Sequence, residues 1–151
     1  MDDLNVDLWL VCRVQTRLCA WPLSHVIETL RPLPIEPVAG APSFVGGLAV
    51  VRGEPLPVVD VARLLGLQAA PPERFVVVVT DDRRVALAVS AVLGVRRVAT
   101  GSLQALPPLL NQAESAVVAA VGLLDAQLLL FLRTARLIPD DALALVPEAT
   151  S

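Results

Sequence analysis

The residues able to do chemistry are few and ill-assorted. The chain has one histidine, His25, and two cysteines, Cys12 and Cys19. A nucleophilic thiol needs a base within hydrogen-bond reach, and only the His25 imidazole could serve Cys19. Cys19 alternates with apolar neighbours, however, so its side chain is expected to point into a core. A serine triad would also need His25, and no strand-Gly-x-Ser-x-Gly-helix stretch accompanies it. The chain lacks lysine, which excludes a phosphate-binding P-loop. Gly46-Gly47 and Gly53 lie on or between apolar runs and not at a strand-to-helix turn, so they make no dinucleotide fingerprint. Asp60 reads as a helix cap and Asp81-Asp82 as a turn. Nothing in their spacing foretells the paired carboxylates of a glycosidase. The cysteines have no metal-ligand spacing. The expectation is a protein with no catalytic residue, no cofactor and no metal.

One residue is suited to recognition. Arg52 stands at a glycine turn, Arg52-Gly53-Glu54, between the apolar runs Phe44 to Val51 and Glu54 to Val59. Two readings stay open. Arg52 is either a buried arginine bonded to strand-end carbonyls or an exposed anchor for a partner's carboxylate or backbone.

Composition narrows the class of partner. The chain has 151 residues, 55% of them hydrophobic, enough for one domain or two small joined halves. Its formal net charge of −3 lacks the basic footprint that nucleic acid requires. The acidic start Met1-Asp2-Asp3 is followed by no apolar h-region with a cleavage site and is not read as a secretory signal. Ser115 to Leu132 is nearly apolar throughout, but Asp125 and Gln127 inside it favour two short strands over a membrane span. A cytoplasmic location without membrane insertion is expected. Cys12 and Cys19 would face each other across a hairpin turning at Gln15-Thr16. Buried free thiols are favoured over a disulfide there.

Short apolar runs punctuated by Gly, Pro and Asp recur along the chain, as in a β-rich fold of many short strands. Strands are expected at Asp7 to Val14, Leu18 to Leu23, Phe44 to Val51, Glu54 to Val59, Phe75 to Thr80, Arg84 to Val89, Val92 to Val98, Ala116 to Leu123 and Gln127 to Leu132. Ser24 reads as an N-cap for a helix presenting Val26, Ile27 and Leu30. Pro32, Pro34 and Pro37 make an extended connector. Pro55 and Pro57 would remove ladder donors, which marks their strand as an edge or bulged one. Asp60 caps a helix over Val61 to Leu65, closed by Gly66. Ala69-Ala70-Pro71-Pro72 is the best internal boundary, and 101–112 is irregular. The expected architecture is mainly β, with two SH3-like five-stranded barrels and short helices. It forms one domain over 1–151 with approximate subdomains 20–70 and 73–132. The strand 7–14 and a C-terminal helix 134–146 pack on them.

Three segments carry a family resemblance. They are Cys19-Ala-Trp-Pro-Leu-Ser-His-Val-Ile-Glu-Thr-Leu-Arg-Pro32, Gly40-Ala-Pro-Ser-Phe-Val-Gly-Gly-Leu48 and Arg52-Gly-Glu-Pro-Leu-Pro-Val-Val-Asp60. With Val89-Ser-Ala-Val-Leu-Gly-Val95, they resemble the CheW-like family over about residues 8 to 138. Those proteins are coupling proteins of bacterial chemotaxis arrays, and their fold recurs in the regulatory domain of the array's histidine kinase. The resemblance implies two packed SH3-like barrels and no catalytic activity. It implies two partners, a methyl-accepting chemoreceptor's cytoplasmic helical hairpin in a groove between the barrels and the kinase regulatory domain at their ends. It implies partner contacts at Val26, Glu28, Val50, Arg52, Gly53, Val89 and Val92.

The chain departs from that pattern in places. Val50-Val51 precede Arg52 where the family usually has Asn-Leu, and Ser90 stands where an aspartate is usual. The family's acidic residue near Arg133 is missing, and Gln15-Thr16 replaces Gly-Gly. A generic SH3-like interaction module, or less readily a small hydrolase, is the alternative function. A proline-peptide groove would need aromatics, and the chain has no tyrosine and 3% aromatic residues.

Overall fold

A computed structural model of the protein describes residues 6–80, 83–99, 118–124 and 127–132. Its strands are β1 Val6–Val14, β2 Arg17–Pro22, β3 Val26–Leu30, β4 Val45–Val51, β5 Glu54–Asp60, β6 Arg74–Thr80, β7 Arg83–Val89, β8 Ala91–Ala99, β9 Val118–Leu124 and β10 Gln127–Leu132. A 3-10 turn covers Leu23–His25, and a short helix, α1, covers Val61–Leu64. The strands form two five-stranded sheets, ordered β8-β1-β2-β10-β9 and β3-β6-β7-β5-β4. Among the described residues the outer strands of a sheet do not pair with each other. Each unit is therefore an open SH3-like sheet, not a closed barrel. The expected turns at Asp81-Asp82 and Asp125, the stretch 101–112 and the helix 134–146 lie outside the described residues.

Alternation sorts the side chains between two faces. On β1, Leu10, Cys12 and Val14 face the second sheet and join Cys19, Trp21, Val59, Val61, Val76, Val78, Val85, Leu87 and Val89 in a core that both sheets share. Val11 faces the other way, into a smaller cluster with Leu18, Ala20, Leu129 and Phe131. Trp9 packs beside that cluster, edge-on to Phe131 at 4.8 Å. The uninterrupted run on β6 is buried on both faces, as its composition leads one to expect. Val76 and Val78 enter the shared core, while Phe75 and Val77 enter clusters inside the second sheet. Burying one such side chain contributes about 1.5–3 kcal/mol as an upper figure.

Three expectations are corrected. First, no helix follows Ser24. The chain makes the single 3-10 turn and then enters β3, where it pairs with β6. Val26, Ile27 and Thr29 are β-branched and suit a ladder better than a helix. Second, β5 is an inner strand, between β7 and β4. Its parallel pairing with β7 covers only Val58, Val59 and Asp60, beyond Pro55 and Pro57, so the inner position asks β7 for no bond to a proline. Third, the boundary expected between 20–70 and 73–132 separates no sheets. The connector Ala69–Pro72 joins α1 to β6 inside the second sheet, and β8, β9 and β10 return to join β1 and β2. Turn signals mark where strands stop, not which strands later pair.

Asp60 caps α1 as expected, its side chain accepting from the Arg63 amide at 3.4 Å. Gly66, at φ +80, closes it. No helix among the described residues is long and apolar enough to cross a membrane.

Past β3, the proline-rich connector covers the edge of β4. The Glu36 and Leu48 amides donate to each other's carbonyls, each at 2.8 Å. That approach needs glycine at position 47. Its φ is +140, and a Cβ there would overlap the Glu36 carbonyl and sit 2.9 Å from the Pro37 Cα. Gly47→Ala is expected to lower the urea midpoint, the backbone strain alone costing about 1–3 kcal/mol. An unchanged midpoint would show that the connector does not dock there.

Candidate partner-binding surface

Arg52 and Gly53 are the two residues of the turn between β4 and β5. Both lie in the left-handed region, at φ 51 and 80, as a type I′ hairpin turn requires. The turn carries Arg52 to Glu28 on β3, the strand at the other end of the same sheet. The guanidinium forks onto the carboxylate, Nε to Oε2 and Nη2 to Oε1, both at 2.8 Å. The pair therefore bridges the open side of the second subdomain. The Arg52 side chain is 75% exposed, and its guanidinium goes to Glu28, not to strand-end carbonyls.

A β-bulge aims Glu28. Val26 lies opposite Val78, but Glu28 lies opposite Val77, so Ile27 is the extra residue. Regular alternation would put Val26 and Glu28 on one face. The bulge leaves Val26 packed against the shared core with Val78, and sends Glu28 to the side of Val77. The hydrogen bonds from Arg52 hold the Glu28 carboxyl below its usual range, and the same bonds raise the Arg52 guanidinium. Glu54 and Arg84 form a second, longer ion pair of 3.8 Å.

The other expected contact residues separate. Val92, opposite Cys12, is half-buried and packs against the shared core, as Val26 also does. Val89 is buried at 3% exposure and is a core residue, which corrects its expected place in a groove. It closes a strand whose last five residues are all buried. Val50 is 63% exposed, opposite Pro55 on β4. Glu28, Arg52 and Gly53 thus come together. Val26 and Val92 flank the shared core, Val89 lies within it and Val50 stands outside it.

Sequence reasoning missed the exposed apolar residues of β1 and β8, namely Leu8, Leu93 and Val95. Leu8 continues the stripe of Leu10 and Cys12 beyond the shared core, and Val95 lies opposite Leu10. Leu93 falls in a bulge, between Val92 opposite Cys12 and Gly94 opposite Val11. Periodicity alone could place these residues on strands. It could not reveal that β8 would form a sheet edge. Beside Leu8 opens a cleft of about 600 Å³ lined by Asp7, Leu8, Trp9, Pro22, Leu23, Ser24 and His25.

Cys12 and Cys19 lie directly opposite each other as free thiols with no exposed surface. Burial pushes both thiols up to about 12, so neither supplies a thiolate near neutrality. That removes the Cys19 and His25 nucleophile pair. Among the described residues no group of three or more His, Cys, Asp or Glu could hold a metal ion.

Twin SH3-like sheets sharing one core, with an exposed ion pair and an apolar edge as their notable surfaces, define a β-scaffold of the interaction type. The CheW-like domain matches residues 8–142, and the chain belongs to that family. Protein FrzA of Myxococcus xanthus is 37% identical over 90 residues, which are 58% of this chain and 55% of FrzA. The match thus spans about half of FrzA's length. Chemotaxis protein CheW of Rhizobium meliloti (strain 1021) is 29% identical over 111 residues, 72% of each chain. The crystal structure of scaffolding protein TtCheW from Thermoanaerobacter tengcongensis has the same fold. Its TM-score is 0.79 at 20% identity, over 90% of this chain and 94% of that one.

Two outcomes are expected. A thiol reagent at neutral pH should modify neither cysteine in the folded protein and both after denaturation. Fast labelling of the native protein would contradict their burial. Arg52→Ala should leave the melting temperature close to that of the parent, because an exposed ion pair contributes little. It should also return the Glu28 carboxyl to its ordinary range in an NMR titration. With its folded value depressed, Glu28 adds its stability above the usual carboxylate range and loses it as pH falls through the lowered value. A large fall in melting temperature would make Arg52 a structural residue.

Proposed function

We propose that the chain is a non-enzymatic adaptor coupling a chemoreceptor's cytoplasmic helical hairpin to the regulatory domain of a CheA-type histidine kinase in the cytoplasm. Family membership supports this reading, as do the names of the relatives. The observation that carries it is the apolar stripe leaving the shared core. Leu8, at 44% exposure, and Val95, at 48%, extend onto the surface the row that Leu10 and Cys12 begin inside. Val26 and Val92 pack at the margin of the same core. A helix that buries such a row is read by its apolar face, the usual mode of a helix in a groove.

Glu28, Arg52 and Gly53, with Val50 on β4, offer a second surface on the second subdomain. A pre-formed guanidinium fork suits register and orientation more than bulk affinity. The kinase regulatory domain is assigned to it. Two separate surfaces are what a coupler needs, since it must hold two partners at once.

A proline-peptide module is the less favoured reading. Trp21 is fully buried, and Trp9 is the one tryptophan lining the cleft beside Leu8, where it packs edge-on to Phe131, so the described residues offer no row of aromatics for a proline-rich peptide.

Calorimetric titration of the chain with a soluble receptor hairpin, and separately with a kinase regulatory domain, tests the assignment. Val95→Asp should weaken the receptor hairpin and spare the kinase domain, while Arg52→Ala should do the reverse. Failure of the parent chain to bind either at micromolar concentrations would end the adaptor reading.

A further inference from the structure

The tip of the hairpin between β1 and β2 carries a polar tie that the proposed function does not use. Gln15 is a non-glycine residue at φ 54, one of two such residues among those described. The other, Arg52, belongs to the turn between β4 and β5. A side chain in that region is strained and persists when its surroundings hold it there. At Gln15 they do so from three directions. The Gln15 amide donates to the Ser90 hydroxyl at 2.8 Å. The Gln15 side-chain amide donates to the Gln68 carbonyl. The Arg13 guanidinium donates to the Gln15 carbonyl at 3.2 Å. Ser90 adds a reciprocal bond, its amide donating to the Arg13 carbonyl at 2.9 Å.

The partners' positions give the tie its meaning. Gln15 belongs to the first sheet. Gln68 follows α1 in the second subdomain. Ser90 is the single residue between β7 and β8, where the chain crosses from the second sheet to the first. The shared core between the sheets is aliphatic apart from Trp21 and the two thiols. Burial of that kind is strong but has no preferred direction. Hydrogen bonds have direction, and these close on the crossing point.

We propose that Gln15 is a clasp that holds the two subdomains at one angle, with Ser90 and Gln68 as its seats. The shared core supplies cohesion and the clasp supplies orientation. This requires nothing of the partner's identity, and it makes Gln15 and Ser90 positioning residues, not contact residues.

Spin labels on the full chain test it. Arg83→Cys on β7 and Gln127→Cys on β10 place one label on each sheet at exposed positions. Cys12 and Cys19, without exposed surface, stay unlabelled. The labelled parent should give one narrow distance distribution by pulsed electron resonance. Adding Gln15→Ala or Ser90→Ala should broaden it or shift it while circular dichroism still reports a folded protein. Ser90→Thr, which keeps the acceptor oxygen, should restore the narrow distribution, a rescue that a mere loss of stability would not give. If Ser90→Ala does not fold, Gln15→Ala decides alone, since it removes one side-chain tie. An unchanged distribution in the folded alanine variants overturns the proposal. So does a Ser90→Thr distribution as broad as that of Ser90→Ala.

Discussion

The aliphatic core shared by the two sheets is the contact on which everything else rests. β1, β2 and β10 contribute one wall, and β5, α1, β6 and β7 contribute the other. Each sheet also has smaller clusters of its own, but a small sheet buries too little surface to be secure alone. Sharing the core joins two modest units into one domain. It also explains the chain's itinerary. The polypeptide lays down a hairpin, builds the second sheet in full and then returns to finish the first. The two walls are thereby joined by covalent crossings at Leu23–His25 and at Ser90.

Irregularities in the ladders do the aiming. A bulge at Ile27 separates Val26 from Glu28, so adjacent members of one apparent stripe serve different purposes. One packs on the core and the other takes a guanidinium. A bulge at Leu93 leaves an apolar side chain on the outside of an edge strand. Bulges turn side chains out of strict alternation and recur at functional margins. Here they separate an apolar margin on the first subdomain from an ion pair on the second. Cys12 and Cys19 lie in the shared core, where burial keeps both as thiols.

Much of the plan was legible in the residues alone. Alternation in β1, the unbroken valines of β6, the Asp60 cap, the Arg52-Gly53 turn and the facing cysteines are local facts, set by steric preferences over a few neighbours. So is the family likeness, because turn residues such as Gly47 and Gly53 answer to backbone geometry that few other residues can adopt. The Ser24 to Leu30 stretch was misread for the converse reason. Its apolar spacing fits a helix or a strand equally, and pairing with β6 settled the choice. Val89 lies in the shared core because a strand residue's face depends on which sheet covers it.

What the sequence determined by itself is most of the strand inventory, the Arg52-Gly53 turn and the Asp60 cap, since each follows from short-range chemistry. Only the tertiary structure decided which strands share a sheet, that Arg52 reaches across an open side to Glu28, and that Gln15 is tied to Gln68 and Ser90. Those contacts join residues 24, 53 and 75 positions apart. Contacts over such separations arise from the common burial of a core, which no local pattern records.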